Sequence, residues 1–178
     1  MAAISPSNTR PTLTADDRDE TYAGYLRTAH NDEVQGRVVA EFAYNELTAM
    51  TAATIHDGSA YAEALQQVFA DEFAALGGEI TSQEAVDRGQ TDMSTVLSSL
   101  AADSPDLLYF PIFTAEGGYI AEQVRDIAGL EDTILVGSDG LFSADFVAAG
   151  GPNTEGMYLS SPDFSACGDE YAGFLEKY

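Results

Sequence analysis

Three short loops carry hydroxyl, carboxylate and aromatic side chains directly after apolar segments, and together they could bind a small zwitterion. They are residues 56–61 (His-Asp-Gly-Ser-Ala-Tyr), residues 113–118 (Phe-Thr-Ala-Glu-Gly-Gly) and residues 137–140 (Gly-Ser-Asp-Gly). Asp139 could meet an ammonium group through a charge-assisted hydrogen bond. Tyr61 and Phe113 could enclose an apolar side chain. Free backbone N–H groups at helix starts could bind a carboxylate.

Each of these side chains also has a structural interpretation, which the sequence leaves open. Asp57 and Asp139 could cap a helix or a turn. Tyr61 and Phe113 could be ordinary packing residues. His56 follows an apolar strand, a position typical of a hydrogen-bonded structural histidine. The loops therefore predict a binding site only if the fold brings them together.

The segments around these loops alternate between helical and strand periodicity. Predicted strands cover 52–56, 79–85, 106–113, 133–137 and 156–161, and predicted helices cover 35–50, 61–76, 92–100, 115–128 and 142–149. The first helix should bury one face, formed by Val38, Val39, Phe42, Ala43 and Leu47. Apolar strands separated by helices are typical of a parallel sheet covered on both faces. We predict an α/β fold: a three-layer, Rossmann-like lobe with a mainly parallel five-stranded sheet.

Ligands of open parallel sheets bind beyond the carboxyl ends of the strands, where the strand order reverses. All three loops follow predicted strands, so this edge is where we expect the site. The other histidine, His30, lies in a polar loop and gives no functional signal.

Composition and motifs argue against several classes of function. The chain has 30 acidic and 7 basic residues among 178, a net charge of -23, which repels nucleic acids and anionic membrane surfaces. No apolar run is long enough for membrane insertion. Cys167 is the only cysteine, and EF-hand spacing is absent, so we expect no disulfide, metal or other cofactor. Nucleotide-binding glycine motifs and the nucleophile elbow are absent as well, so we predict no enzyme.

A series of short motifs resembles the leucine/isoleucine/valine-binding family of periplasmic binding proteins. In chain order they are residues 4–9, Arg27-Thr28, Gln35-Gly36, Ile55-His56-Asp57 with Tyr61, Thr91-Asp92, Pro105-Asp106, residues 137–140 and Glu155-Gly156-Met157. Their order and spacing, rather than any one motif, carry the resemblance, which extends over nearly the whole chain. The resemblance implies two Rossmann-like lobes with a ligand cleft between them.

This chain would then hold mainly one lobe. Residues 1–29 would be the end of the first lobe and a crossover, residues 30–162 the second ligand-binding lobe, and residues 163–178 a segment returning towards the first lobe. Most of the first lobe would be missing. Residues 1–10 do not resemble a signal peptide, so we expect any export signal to lie outside this sequence.

The resemblance implies ligand-binding roles for five residues. Ser7 and Thr9 match first-lobe positions that hold the ligand's α-carboxylate and α-amino groups. Tyr61 and Phe113 match aromatic positions of the cleft. Because Phe113 stands where the family often has tyrosine, a more apolar ligand is favoured. Asp139 matches the ammonium-binding carboxylate of the family, although it is shorter than glutamate.

The function that the resemblance implies is that of a periplasmic or extracellular solute-binding component of an ABC uptake transporter. It would close around an amino acid by hinge motion and be recognised by the transporter permease. A ligand-sensing domain of a receptor or regulator with the same fold is the alternative, and an unrecognised α/β enzyme is a third possibility. A single lobe should bind amino acids weakly or undetectably, and the surfaces left uncovered, Ser5–Pro11 with Tyr171 and Phe174, should favour self-association.

Overall fold

A computed structural model describes residues 2–162 of the chain, together with Gly173 and Glu176. The strands are β1 (Ala3–Ser5), β2 (Tyr25–Arg27), β3 (Thr51–His56), β4 (Glu79–Ala85), β5 (Leu107–Phe110), β6 (Ile134–Gly137) and β7 (Tyr158–Leu159). The α-helices are α1 (Asp32–Asn45), α2 (Ala60–Ala75), α3 (Ser94–Ala101), α4 (Thr114–Gln123) and α5 (Ala144–Gly150).

Five of the strands form one sheet in the order β4-β3-β5-β6-β7, and every neighbouring pair is parallel. The chain runs from β3 to β4 on one side and then crosses to β5 on the other. The strand order therefore reverses between β3 and β5, where crevices for ligands form in such sheets. The predicted three-layer α/β fold with a five-stranded sheet is confirmed.

Side chains on alternate strand positions enter two separate cores, as the pleat of a strand requires. Helices α1 and α2 pack on each other and cover one face of the sheet, burying Ala52, Leu107, Tyr109 and Val136. Helices α3, α4 and α5 cover the other face, burying Ala53, Ile55, Leu108, Phe110 and Leu135. The sheet is covered on both faces, so its carboxyl edge is the surface on which the loops can meet.

Helix α1 can approach α2 closely because Gly36 has no side chain. A Cβ atom at Gly36 would lie 2.6 Å from Val68 Cγ1 and 3.1 Å from the backbone nitrogen of Phe69. Backbone atoms cannot retreat from such a contact. Gly36 therefore lets the two helices pack closely, and the residue directly before it, Gln35, has a polar side chain.

Several predicted elements end earlier than the sequence indicated, and in α1 and β5 the difference changes the placement of a named residue. Helix α1 ends at Asn45 instead of continuing to residue 50, and Val38, predicted to face inward, is 52% exposed. Strand β5 ends at Phe110, and Phe113, predicted to lie in the strand, is the N-cap of α4. Pro111 explains the second difference, since proline has no N–H to donate to the neighbouring strand.

Residues 2–29 form no strand of the main sheet. Instead β1 and β2 pair with each other in parallel, with Ala3 opposite Tyr25. Each strand has only three residues, too few for a periodic pattern to reveal. The predicted boundaries after residues 29 and 162 stay predictions, and the tail aromatics Tyr171 and Phe174 lie outside the described residues.

Candidate ligand-binding cleft

The loops after β3, β5 and β6 meet the turn after β1 around one cavity of about 470 Å³. Its lining includes all five residues predicted to bind ligand: Ser7, Thr9, Tyr61, Phe113 and Asp139. A second cavity of about 480 Å³ shares Ser7, Thr9 and Asp139 and extends towards His30 and Phe142. The fold thus brings together residues that are up to 132 positions apart, between Ser7 and Asp139. Their contacts with a ligand stay a prediction.

The loop after β3 is shaped by its own hydrogen bonds. Asp57 Oδ1 accepts from the Ser59 N–H at 3.0 Å, and Ser59 Oγ accepts from the Ala62 N–H at 3.1 Å, which caps α2. His56 Nδ1 accepts from the Gly58 N–H at 3.1 Å. Asp57 and His56 therefore have the structural roles that the sequence left open, and together they present Tyr61 in the first turn of α2.

Tyr61 and Phe113 form an aromatic wall of the cavity. Their ring centroids are 5.4 Å apart and the ring planes are inclined by 33°. Phe113 remains 45% exposed, so its ring is available for contact with an apolar group. Gly140 lets the loop after β6 reach this wall, because a Cβ atom there would lie 2.7 Å from the Ile112 carbonyl oxygen.

Asp139 sits at the centre of a hydrogen-bond network. Its Oδ1 accepts from Tyr61 Oη at 2.8 Å and from Gln35 Nε2 at 2.7 Å. Tyr61 Oη also lies 2.8 Å from Ser138 Oγ. Burial raises the pKa of Tyr61 and the nearby Asp139 charge adds to the rise, so the phenol stays a donor. Asp139 Oδ2 accepts no hydrogen bond from the described residues, which leaves this oxygen for a donor on a ligand.

Gln35 is the site residue that the loop patterns missed. Besides Asp139, its Nε2 donates to Ser160 Oγ at 2.9 Å, and its Oε1 lies 2.9 Å from His30 Nε2. His30, which gave no signal in the sequence, thus belongs to the network. The available signal was a polar residue four positions before Val39 and eight before Ala43, on the helix face that the structure shows to be buried.

The turn after β1 is tied both to β2 and to α1. The Asp32 N–H donates to the Thr9 carbonyl oxygen at 3.0 Å, and Asn8 Nδ2 donates to Tyr25 Oη at 2.8 Å. The Arg27 guanidinium donates to the Arg10 carbonyl oxygen at 2.8 Å. Thr9 is consequently buried at the junction, with 5% of its surface exposed.

Nowhere in residues 2–162 do three histidine, cysteine or acidic side chains converge as they would around a metal ion. No helix among the described residues has the length and apolar character needed to cross a membrane.

A carboxylate, hydroxyls and an aromatic wall, gathered where the strand order of a parallel sheet reverses, define an α/β ligand-binding domain. Residues 2–178 match the model of a periplasmic binding protein family. The chain belongs to the periplasmic binding protein family. This confirms the resemblance that the motifs indicated and agrees with the prediction of a binding protein rather than an enzyme.

Several curated relatives carry names that state their ligands. The Leu/Ile/Val-binding protein homolog 3 of Brucella melitensis is 29% identical over 158 residues, which are 89% of this chain and 41% of the relative. The Leu/Ile/Val-binding protein BraC3 of Rhizobium johnstonii is 27% identical over 95% of this chain and 46% of its own length. The chain therefore spans less than half the length of these relatives.

Solved structures show the same fold. A leucine-binding protein from Thermotoga maritima superposes with a TM-score of 0.80 at 24% identity, covering 99% of this chain and 50% of that protein. A branched-chain amino-acid transporter substrate-binding protein from Streptococcus pneumoniae, in complex with isoleucine, gives a TM-score of 0.76 at 23% identity and the same coverage. At these identities the likeness establishes the fold alone.

Proposed function

We propose that this chain is the ligand-closing lobe of the solute-binding component of an ABC uptake transporter for an aliphatic or related amino acid. The observation that carries the proposal is the arrangement of Asp139. One carboxylate oxygen is fixed by Tyr61 and Gln35, the other accepts nothing from the described residues, and Asp139 lines the cavity. A fixed carboxylate with a free oxygen is suited to an ammonium group.

The remaining contacts that we propose involve the other residues that line the cavity. The ligand's side chain lies against Tyr61 and Phe113, whose rings form the wall of the cavity. Because Phe113 has no hydroxyl, this wall favours an apolar side chain over a polar one. Ser7 and Thr9 approach from the side of β1 and contact the ligand's carboxylate and ammonium groups. The names of the curated relatives support this choice of ligand.

The mechanism that we propose is closure of two lobes around the ligand. Contacts on both sides of a cleft stabilise the closed form, and a ligand can shift the equilibrium only by its difference in affinity for the two forms. The closed form is the one that a transporter permease recognises, in the periplasm or at the outer cell surface. This chain alone supplies the contacts on one side of the cleft. From the other side it supplies only the short segment that contains β1 and β2.

The experiment that tests the ligand class is a titration of the isotopically labelled chain with L-leucine, followed by nuclear magnetic resonance. We expect a millimolar dissociation constant, with shifts confined to residues 7–9, 58–61, 113–116 and 138–140. Asp139→Asn should weaken binding by about 10-fold to 100-fold, because a hydrogen bond to a charged group contributes about 1.5–3 kcal/mol. Asp132→Asn is the matched control, since Asp132 is exposed and lines a different cavity at the opposite sheet edge.

Two results would contradict the proposal in different ways. Absence of shifts at the three loops with leucine, isoleucine and valine would refute the ligand class. Micromolar binding of leucine in calorimetry would show that one lobe suffices, and would refute the division of the site between two lobes.

A further inference from the structure

The partners of the Gln35 amide group leave it only one orientation. An ionised carboxylate accepts hydrogen bonds and donates none, so the NH₂ end of the amide must face Asp139 Oδ1, at 2.7 Å. Gln35 Nε2 also donates to Ser160 Oγ at 2.9 Å, which uses its second hydrogen. The side chain is buried, with 6% of its surface exposed, so its partners are protein groups rather than water. The carbonyl end of the amide, Oε1, consequently faces His30.

The orientation of Gln35 determines where the His30 ring carries its hydrogen. Gln35 Oε1 can only accept, and His30 Nε2 lies 2.9 Å from it, so Nε2 must be protonated. A neutral His30 therefore has its hydrogen on Nε2 and a lone pair on Nδ1. Nδ1 makes no hydrogen bond with the described residues. A chain of two hydrogen bonds thus runs from the His30 ring, through one amide, to the carboxylate of the cleft.

A positive charge on His30 acts on Asp139 through this chain. Histidine is the side chain that ordinarily gains a proton between pH 8 and pH 5. The proton enters at Nδ1, because Nε2 already carries one. A cationic ring donates a stronger hydrogen bond to Gln35 Oε1 and favours the charged form of Asp139. The protonated ring and the ammonium group of a ligand therefore compete to compensate the same carboxylate.

Few other charged groups face the His30 ring. His30 lines two cavities, whose other lining residues include one acid, Asp139, and no base. On α1, Asp32 is the second acid near the ring. Arg27, on β2, donates its guanidinium hydrogens to oxygen atoms of residues 8–14 instead. Asp32 and Arg27 are present with and without a ligand, so the charge that changes on binding is the ammonium beside Asp139.

We propose, resting on the proposed function, that His30 is a positioning residue for the ligand-binding carboxylate and makes ligand binding sensitive to pH. The neutral ring orients Gln35, which holds Asp139 Oδ1 and leaves Oδ2 for the ligand's ammonium group. The protonated ring supplies a competing positive charge, so the affinity for amines falls as the pH falls. The ligand is thus bound at neutral pH and released more readily in acid.

The hydrogen-bond chain is tested in the free chain labelled with ¹⁵N-histidine. At pH 8, long-range ¹H–¹⁵N correlations should show the His30 ring protonated on Nε2, and His30→Gln assigns the signals by removing them. Gln35→Met, which keeps an unbranched side chain without the amide, should lower the fraction of this tautomer. A ring protonated on Nδ1 in the unaltered chain, or a fraction that Gln35→Met leaves unchanged, would overturn the proposal.

The competition is tested by titrations with L-leucine at several pH values. The dissociation constant should rise by about threefold to tenfold between pH 8 and pH 5, a modest effect for opposite charges because an amide separates them. His30→Gln keeps an N–H for Gln35 Oε1 but does not titrate, so it should reduce this change to less than about twofold. His30→Leu should lose the pH dependence as well. It should also bind leucine more weakly at pH 8 than His30→Gln does, because it cannot orient Gln35.

The matched probe is 3-methylbutylamine, which keeps the ammonium group and the branched chain of leucine but lacks the carboxylate. Its binding should weaken between pH 8 and pH 5 as leucine binding does. If leucine binding weakens and amine binding does not, His30 acts on the carboxylate end of the ligand and the proposal is wrong. Arg88→Gln is the control variant, since Arg88 is exposed and lines neither cavity next to His30, and it should keep the pH dependence.

Failure of this proposal is distinguishable from failure of the proposed function. If leucine shifts the cleft resonances with the same dissociation constant at pH 5 and pH 8, the role of His30 is refuted and the proposed function stands. The same conclusion holds if His30→Gln retains the full pH dependence. If leucine shifts no cleft resonance at any pH, the proposed function fails, and the role of His30 in binding fails with it.

Discussion

Acidic side chains at the two edges of the main sheet differ in their hydrogen bonding. At the amino edge, Asp106 Oδ2 accepts from the backbone N–H groups of Met50 and Thr51, each at 2.9 Å, and the Asp106 N–H donates to Thr51 Oγ1 at 2.9 Å. These bonds join the starts of β3 and β5. At the carboxyl edge, neither carboxylate oxygen of the buried Asp32 has a hydrogen-bond partner among the described residues, and Asp139 lines the cavity. The Asp106 carboxylate therefore stabilises the fold through its hydrogen bonds. Asp32 and Asp139 each retain at least one carboxylate oxygen without a hydrogen-bond donor among the described residues.

The direction of each pKa shift reflects this difference. Partial burial works against ionisation of Asp106, but the hydrogen bonds from Met50 and Thr51 outweigh it and lower the pKa of Asp106. Burial raises the pKa of Asp32. An acid bonded to backbone N–H groups adds to stability when it is charged. An acid buried without partners subtracts from stability when it is charged, and such groups concentrate at functional sites.

The largest expected effect on stability is at the amino edge. Asp106→Ala removes two hydrogen bonds to a charged acceptor, each contributing about 1.5–3 kcal/mol when fully buried and less at this exposed position. We expect a loss of about 2–3 kcal/mol in the free energy of unfolding, measured in urea. Asp103→Ala is the control, since that exposed side chain accepts no hydrogen bond among the described residues. If the two variants lose equal amounts of unfolding free energy, the hydrogen bonds of Asp106 do not stabilise the fold, and the proposed difference between the edges is wrong.

The pH dependence should have opposite signs at the two edges. Asp106, with a lowered folded pKa, stabilises the protein above the unfolded value of about 3.9, and this contribution is lost as the pH falls through the folded value. Asp32, with a raised folded pKa, contributes stability below about 3.9 that is lost as the pH rises through its folded value.

The matched variants Asp106→Asn and Asp32→Asn separate these two contributions. Between pH 4 and pH 8, the unaltered chain should lose about 1–2 kcal/mol relative to Asp32→Asn, since a buried unpaired group costs that much. Relative to Asp106→Asn it should gain stability as the pH rises from 2 to 5. Urea unfolding at several pH values measures both differences. Two slopes of the same sign would contradict the assignment of one acid to the fold and the other to the cleft.

The elements that could be predicted from the sequence are those marked by a local pattern of residues. Strand β4 was predicted with its exact bounds, because a run bordered by Gly77-Gly78 needs no information from elsewhere. The loops that form the cleft could be predicted because the carboxyl ends of parallel strands share an edge. The exposure of Val38 could not, because it depends on a cavity that Val38 lines together with Tyr158 and Leu159 of the distant strand β7.

The network behind the cleft depends on contacts between distant residues. Gln35 reaches Asp139 across 104 positions, and nothing in either local pattern indicates the partner. The isolation of Asp32 is equally invisible, because an acid in the first turn of a helix is ordinarily an exposed residue that favours the helix dipole. The Asp32 N–H donates to the Thr9 carbonyl oxygen in the turn after β1, a contact between distant residues that no local pattern indicates.

The smallest expected effect concerns the hydroxyl of Tyr61. Tyr61→Phe keeps the ring against Phe113 and removes the hydrogen bond to Asp139 Oδ1, which Gln35 still contacts. Because this network orients a binding group rather than joining strands, we expect a loss of about 0.5–1.5 kcal/mol in unfolding free energy. Tyr119→Phe, whose hydroxyl makes no hydrogen bond within the described part of the chain, should change it by less than about 0.5 kcal/mol. If Tyr61→Phe lowers the free energy of unfolding as much as Asp106→Ala does, the network at the carboxyl edge is also structural. The distinction between acids that stabilise the fold and acids that bind a ligand would then be wrong.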